Sequence, residues 1–248
     1  MIIHELDQGS PQWFAVRAGI PTASEFHRII TPKREQLADG RWSYAFELAA
    51  ERLLGESRQS LDGLQWVERG KVLEVDAVSH YEFVRDRKTA KVGFITPDHG
   101  RYGCSPDRLV AGNDGDPLCA LEIKCPSSIK HLEYFINGPG ADYRCQVQGS
   151  LLVTGFDQWD FLSYHPQLPE LLIRFERDER FIAKMEACLD QFCDEVDEIV
   201  EKIKAAGYVP PPPPTFAGPV DIAARDWAWE GQDIDTIERM IAAGQMGG

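Results

Sequence analysis

Between Arg85 and Pro126 the spacing of apolar residues changes from helical to extended, and that change limits what the chain can become. Before it, QWFAVRAG, WSYAFELAAERLLG and a run from about Leu64 to Arg85 read as helices. In the last of these Gly70, Leu73, Ala77, Tyr81 and Val84 recur at steps of three and four, the spacing of one helical face. After it, KVGFITPDHGRYGCSPDRLVAG reads as short strands and turns. LCALEIKCP is the next strand, with Leu121, Ile123 and Cys125 facing one way and Glu122 and Lys124 the other. DYRCQVQGSLLVTG returns to helix, QWDFLSYHP and ELLIRFERD are further strands, and a long acidic helix runs from about Glu179 to Ala206. Helices, a small mixed sheet, a helix and more strands predict an α/β (α+β) core, a central mixed β-sheet flanked by helices.

Local punctuation refines this outline. Gly55 stands where a helix C-cap should. Ile20-Pro21 breaks the first helix, and TASE reads as a capping box, with Thr22 as N-cap and Glu25 three residues on. Pro210 to Pro214 is neither helix nor central strand and reads as a stiff polyproline spacer. The expected organisation is one domain over residues 1–207, followed over 208–248 by a proline-rich linker and a tail. That tail can form a short helix using Ile234, Ile237 and Ile241. Two readings of it stand: it folds back on the parent domain, or it meets a partner or another subunit.

The opening residues MIIHELDQGS lack a secretory signal, and no later apolar run is long enough for a bilayer, so a cytoplasmic protein with no membrane partner is expected. Six cysteines without a CxxC pair argue against a structural zinc or an iron–sulfur cluster. A net charge of −14 weighs against a uniformly basic nucleic-acid footprint. The acids are unevenly placed, however, so a local basic groove is compatible with them, and clustered carboxylates are what a divalent cation needs.

The chemistry concentrates in CSPDRL and LEIKC. Glu122 and Lys124, two apart on a strand, look into one cleft, and Asp107 can join them from a neighbouring strand. Two carboxylates and a backbone carbonyl, completed by waters, suit Mg²⁺, and a lysine beside a metal-bound water can orient it or stabilise developing charge. An isolated ExK pair is most often a surface ion pair and SPD an ordinary turn; together, in this order, they are far more specific. Asp114 and Asp116 lie among Gly and Pro and read as a hairpin loop. Upstream, Ser24 falls in the first turn of the TASE helix with hydroxyl and amide available to a phosphate, and Arg17 can add a bidentate contact.

WFAVRAGIPTASE, RGKVLE, CSPDRL, LEIKCP, YRCQVQ and DERFIAKMEACLDQF together resemble the PD-(D/E)xK nuclease superfamily. Within it they are similar to the phage alkaline exonucleases related to that of bacteriophage lambda, the YqaJ-like viral recombinase group. The resemblance implies that Asp107, Glu122, the Ile123 carbonyl and Glu74 hold the metal, and that Lys124 positions or activates the attacking water. It favours Gln146 over Gln148 as the glutamine of the site. It also implies a pocket for a 5′-phosphate made by Arg17, Ser24 and Ser105.

The activity implied by that resemblance is a Mg²⁺-dependent 5′-to-3′ exonuclease, with Mn²⁺ able to substitute, acting on double-stranded DNA ends. It would leave a 3′ single strand for an annealing protein, work as a homotrimeric ring, and be encoded by a phage or prophage. The rivals are an endonuclease on the same core and a catalytically silent DNA-end-binding or adaptor module.

Overall fold

The computed structural model describes residues 1–57, 64–212 and 220–221, with residues 64–72 and 220–221 described by their backbone only. Its centre is a five-stranded sheet in the order β2 (Thr89–Ala90), β4 (Arg108–Ala111), β5 (Pro117–Lys124), β6 (Gln158–Ser163) and β7 (Leu171–Glu176). Only β5 and β6 run parallel; their neighbours pair antiparallel. A parallel pair cannot be closed by a hairpin. Two helices, α4 (Ser128–Asn137) and α5 (Ala141–Thr154), make the crossover. A smaller sheet joins β3 (Phe94–Thr96), β1 (Ile2–His4) and β8 (Val220–Asp221). The mixed sheet flanked by helices is the expected fold class.

Alternation along β5 decides which helix lies on which face. Leu121 and Ile123 pack with Leu162 against α3 (Leu64–Arg85), which contributes Ala77, Val78 and Tyr81. Ala120 and Trp159 belong to the larger core, which α5 shares with α2 (Arg41–Leu54) and α6 (Glu179–Ala205). The predicted stripe on α3 is thus correct at Ala77 and Tyr81. It is wrong at Val84, which is 44 % exposed, while Val78 is buried in its place.

The acids of α6 do not stand alone in solvent. Glu195 receives a bidentate bond from Arg41, Asp197 pairs with Arg52, and Arg101 reaches Asp190, Asp194 and Asp197. At its N-terminus Asp178 caps the helix and holds Arg144. All six cysteines are free thiols, and burial raises the pKa of each, so they pack as small apolar groups.

One expectation needs correction, and two elements are additional. The TASE segment is not a capped α-helix but a six-residue 3₁₀ turn, Ala23–Arg28, and Thr22 makes no side-chain cap bond. The reason is tertiary: the Gly103 N–H donates to the Pro21 carbonyl and the Ala23 N–H to the Gly103 carbonyl, which fixes the entry before a regular helix can form. The helix α4 is not among the expected elements; its apolar Ile129, Leu132, Phe135 and Ile136 recur at helical steps but face outward, and its buried residues are His131 and Tyr134. The strand β1 lies upstream of the expected helical start at Gln12, which is present as a helix over Pro11–Arg17; β1 itself is not among the expected elements. The Asp114 and Asp116 loop is the tip of the β4–β5 hairpin, at the opposite end from Lys124. The tail helix at Ile234, Ile237 and Ile241 lies outside the described residues. Val220 and Asp221 pair with Ile3 and Ile2, so at that point the chain returns to its own N-terminal strand. No helix among the described residues is long and apolar enough to cross a membrane.

Candidate active site

The end of β5 carries the cleft. Glu122 is almost fully buried, and one of its oxygens, Oε1, receives two donors: Lys124 Nζ at 2.5 Å and Gln146 Nε2 at 2.7 Å. Gln146 reaches it because α5 lies on the same face of the sheet as Glu122. Gln148 turns the other way, donating to the Glu176 carbonyl at 2.8 Å and accepting from the Asp178 N–H at 2.8 Å. One glutamine faces the cleft and the other ties α5 to the start of α6.

Asp107 stands just before β4, and its Oδ2 accepts the Ile123 N–H at 2.6 Å, which locks the SPD turn to the ExK strand. Burial and the neighbouring Glu122 charge push its carboxyl up to about 8, against the opposing pull of Lys124 and the Ile123 N–H. Glu74, from α3, adds its own field to Asp107 and to Cys125. Burial alone would depress the Lys124 ammonium, but Glu122 and Asp107 outweigh it and hold it above the ordinary lysine range. The two carboxylates thus favour the charged form of Lys124. Its Nζ also lies 5.8 Å from the centre of the Tyr143 ring.

Too much negative charge converges on one point for a single ammonium to balance, which is the chemistry that a divalent cation relieves. Among the described residues no three His, Cys, Asp or Glu side chains close into a ready-made cage. Asp107, Glu122 and the Ile123 carbonyl could hold such an ion, and Glu74 acts on Asp107 electrostatically from α3, on the other face of the sheet.

A second cluster forms around Arg17, the last residue of α1 (Pro11–Arg17). Its guanidinium lies 3.7 Å above the Trp13 ring, and Nη1 donates to Ser105 Oγ at 3.3 Å. Trp13 Nε1 donates to the same Ser105 oxygen at 3.2 Å. A hydroxyl has two acceptor positions and one donor, so Ser105 is left with its proton to offer. Burial pushes the Arg17 guanidinium down to about 10, still charged at neutral pH. A cavity of about 490 Å³ opens beside it, lined by Thr22, Glu25, Arg28, Tyr44 and Glu47 among others. Ser24 does not bond to Arg17 or Ser105 directly; it is exposed, and its hydroxyl meets Thr22 Oγ1 at 3.3 Å. The parallel bridge from Thr22 to Gly103 nevertheless brings its segment beside the one leading to Ser105. Trp13 is not among the expected site residues, although its position four residues before Arg17 on a helix places the two side chains together.

Several known proteins resemble this chain. The model of the YqaJ-like viral recombinase domain matches residues 12–157, a stretch holding both clusters. LHK-Exo, an alkaline exonuclease from Laribacter hongkongensis, is 32 % identical and superposes with a TM-score of 0.69, covering 79 % of this chain and 97 % of that one. Its complex with dAMP superposes equally well, at 33 % identity. A phage-related exonuclease from Haemophilus somnus 129PT shares the fold at 17 % identity and a TM-score of 0.57, over 74 % of this chain and 96 % of that one. A 64-residue stretch is 31 % identical to ExoD of Escherichia coli (strain K12), covering 25 % of this chain and 74 % of that protein. The chain belongs to the YqaJ-like viral recombinase family.

Proposed function

We propose that this chain is a metal-dependent deoxyribonuclease that removes nucleotides from the 5′ ends of double-stranded DNA and leaves a 3′ single strand. The observation that carries this reading is the shared Glu122 oxygen, held by Lys124 and Gln146 beside an Asp107 bonded to the same strand. Family membership and the likeness to an alkaline exonuclease support the nuclease class, and the dAMP bound by LHK-Exo fits a deoxynucleotide product.

In this reading Asp107, Glu122, the Ile123 carbonyl and Glu74 hold Mg²⁺, or Mn²⁺ in its place, which supplies a Lewis acid for the scissile phosphate and an acidified water. Lys124 keeps its proton and steadies the charge that builds on the phosphate oxygens. Gln146 fixes the Glu122 carboxylate so that its other oxygen keeps one direction. Arg17 and Ser105, with Ser24 alongside, take a terminal 5′-phosphate through a bound cation and a directed O–H. The nuclease unit is residues 1–207, with 208–248 as linker and tail. The working form is a homotrimeric ring in a bacterial cytoplasm, phage or prophage encoded, that passes its product to a single-strand annealing protein.

The test is digestion of linear duplex DNA labelled separately at each end, with 5′-phosphate and 5′-hydroxyl versions, a closed circle, and Lys124→Ala as control. The expected result is Mg²⁺-dependent release from the 5′ end, an intact circle and an inactive variant. Cutting of the circle by the unaltered protein alone would make it an endonuclease. No cleavage with Mg²⁺ or Mn²⁺ would leave end binding as its activity.

A further inference from the structure

Behind the sheet from the cleft lies a buried charge that none of the proposed chemistry uses. Asp160 on β6 is wholly inaccessible. Arg174, its cross-strand partner on β7, donates to both of its oxygens at 2.7 and 2.8 Å, and Tyr81 of α3 donates its hydroxyl at 2.6 Å. Arg85, one turn further along α3, has Nε 3.7 Å away. A buried ion pair rarely adds stability over an apolar replacement, and its best-attested use is to fix a register.

A register is what α3 requires here. The residues it lays on the sheet besides Tyr81 are Ala77 and Val78, small apolar groups that would tolerate sliding or turning. Slipping by one residue moves a helix about 1.5 Å and turns it about 100°. The polar anchors sit together toward its C-terminal end: Tyr81 and Arg85 on Asp160, and Glu82, whose Oε1 accepts from the N–H and hydroxyl of Thr89 at 2.9 and 2.6 Å. Glu74 is seven residues before Tyr81, two turns along and within about 20° of the same direction. Fixing Tyr81 therefore fixes where Glu74 emerges beside Asp107.

We infer that Tyr81 and Asp160 are positioning residues for Glu74, setting its place at the metal site through the rigid length of α3. This rests on the reading of Glu74 as a metal ligand. The test is calorimetric titration of the full-length protein with Mn²⁺, comparing Tyr81→Phe, Glu74→Gln and the double variant, with melting curves alongside. Tyr81→Phe leaves Asp160 its two bonds from Arg174, so the fold survives. Its expected effect is about tenfold weaker Mn²⁺ binding, the lower end for loss of a group behind a ligand. In the Glu74→Gln background it should produce no further loss. Equal weakening by Tyr81→Phe in both backgrounds, or none in either, overturns the inference while leaving Glu74 as a ligand. If Glu74→Gln itself binds Mn²⁺ normally, the assignment of Glu74 falls, and the inference with it. Glu122→Gln, carried in parallel, shows whether the metal reading of the cleft survives.

Discussion

Lys124 and Gln146 converge on the same oxygen of Glu122, one from the next outward position of its own strand and one from the crossover helix. Rotation of that carboxylate would break both bonds at once. Removing either donor leaves a buried, under-bonded anion, but the two losses differ in kind, because only Lys124 carries charge.

Lys124→Ala is expected to fold and to bind DNA ends while losing cleavage by at least about a hundredfold, the scale of a charged group acting on the transition state. Gln146→Ala should slow the reaction by about tenfold and leave end binding unchanged. Single-turnover digestion with a parallel end-binding assay measures both. Near-normal turnover by Lys124→Ala would remove that residue from the mechanism.

Gln148 gives the converse result. Gln148 is buried and both of its bonds are structural, so Gln148→Ala should lower stability by about 2 kcal/mol while the folded fraction keeps its rate. Urea unfolding and activity measured on one preparation separate the two glutamines. A rate loss without a stability loss would contradict the assignment.

If Asp107 holds the proposed cation, binding should depend on pH. Its carboxyl is raised from 3.8 to about 8, so its contribution to the stability of the metal-free protein is full below 3.8 and is lost as pH rises through about 8. A bound cation favours the ionised form, so binding expels a proton across that window. Apparent affinity should climb about tenfold per pH unit until near pH 8 and then level off. Titration in two buffers of different ionisation heat counts the proton, and Asp107→Asn should abolish its release. A pH-independent affinity would be the contrary result.

Arg17→Lys keeps the charge but loses the planar stack on Trp13 and the fork toward Ser105. It should reduce the preference for 5′-phosphorylated over 5′-hydroxyl ends by about tenfold, with the rate on 5′-hydroxyl ends unaltered. Ser105→Ala should move the same ratio in the same direction. A ratio that stays put in both would leave Arg17 a packing residue.

Gly149 should not tolerate a side chain. A Cβ there would lie 2.3 Å from Phe26 Cδ2 and 2.7 Å from its Cε2, where α5 crosses the 3₁₀ turn. Gly149→Ala is expected to destabilise the fold by about 2 kcal/mol, as overpacking of a filled core does, read as a lower melting temperature.

The cleft is more legible in the sequence than some of the fold around it. Strict alternation in ALEIKC dictates which side Glu122 and Lys124 take, because a strand has only two faces. The helices α2, α3, α5 and α6 are also readable from period and caps. The rest is settled by contacts distant in sequence. Thr22 and Glu25 have the letters of a capping box, yet bonds to Gly103 decide that segment. Helix α4 inverts the usual pattern, exposing Ile129, Leu132, Phe135 and Ile136 while burying His131 between Ser163 and the Pro169 carbonyl. Its apolar spacing and its caps, Ser127 and Gly138, both signal a helix; only the outward direction of the apolar face has to be seen in the fold. The partnership of Arg17 with Ser105 spans 88 residues and comes from resemblance, whereas the Trp13 platform beneath it has to be seen in the fold.

The pairing of Val220–Asp221 with Ile2–Ile3 has a practical side. It places main-chain partners along the flank of β1 that β3 does not cover. A chain cut after the prolines would leave that flank as an open row of amides and carbonyls, a template for any extended peptide. Such a truncation would be felt as aggregation during preparation before it was felt in the rate of any reaction.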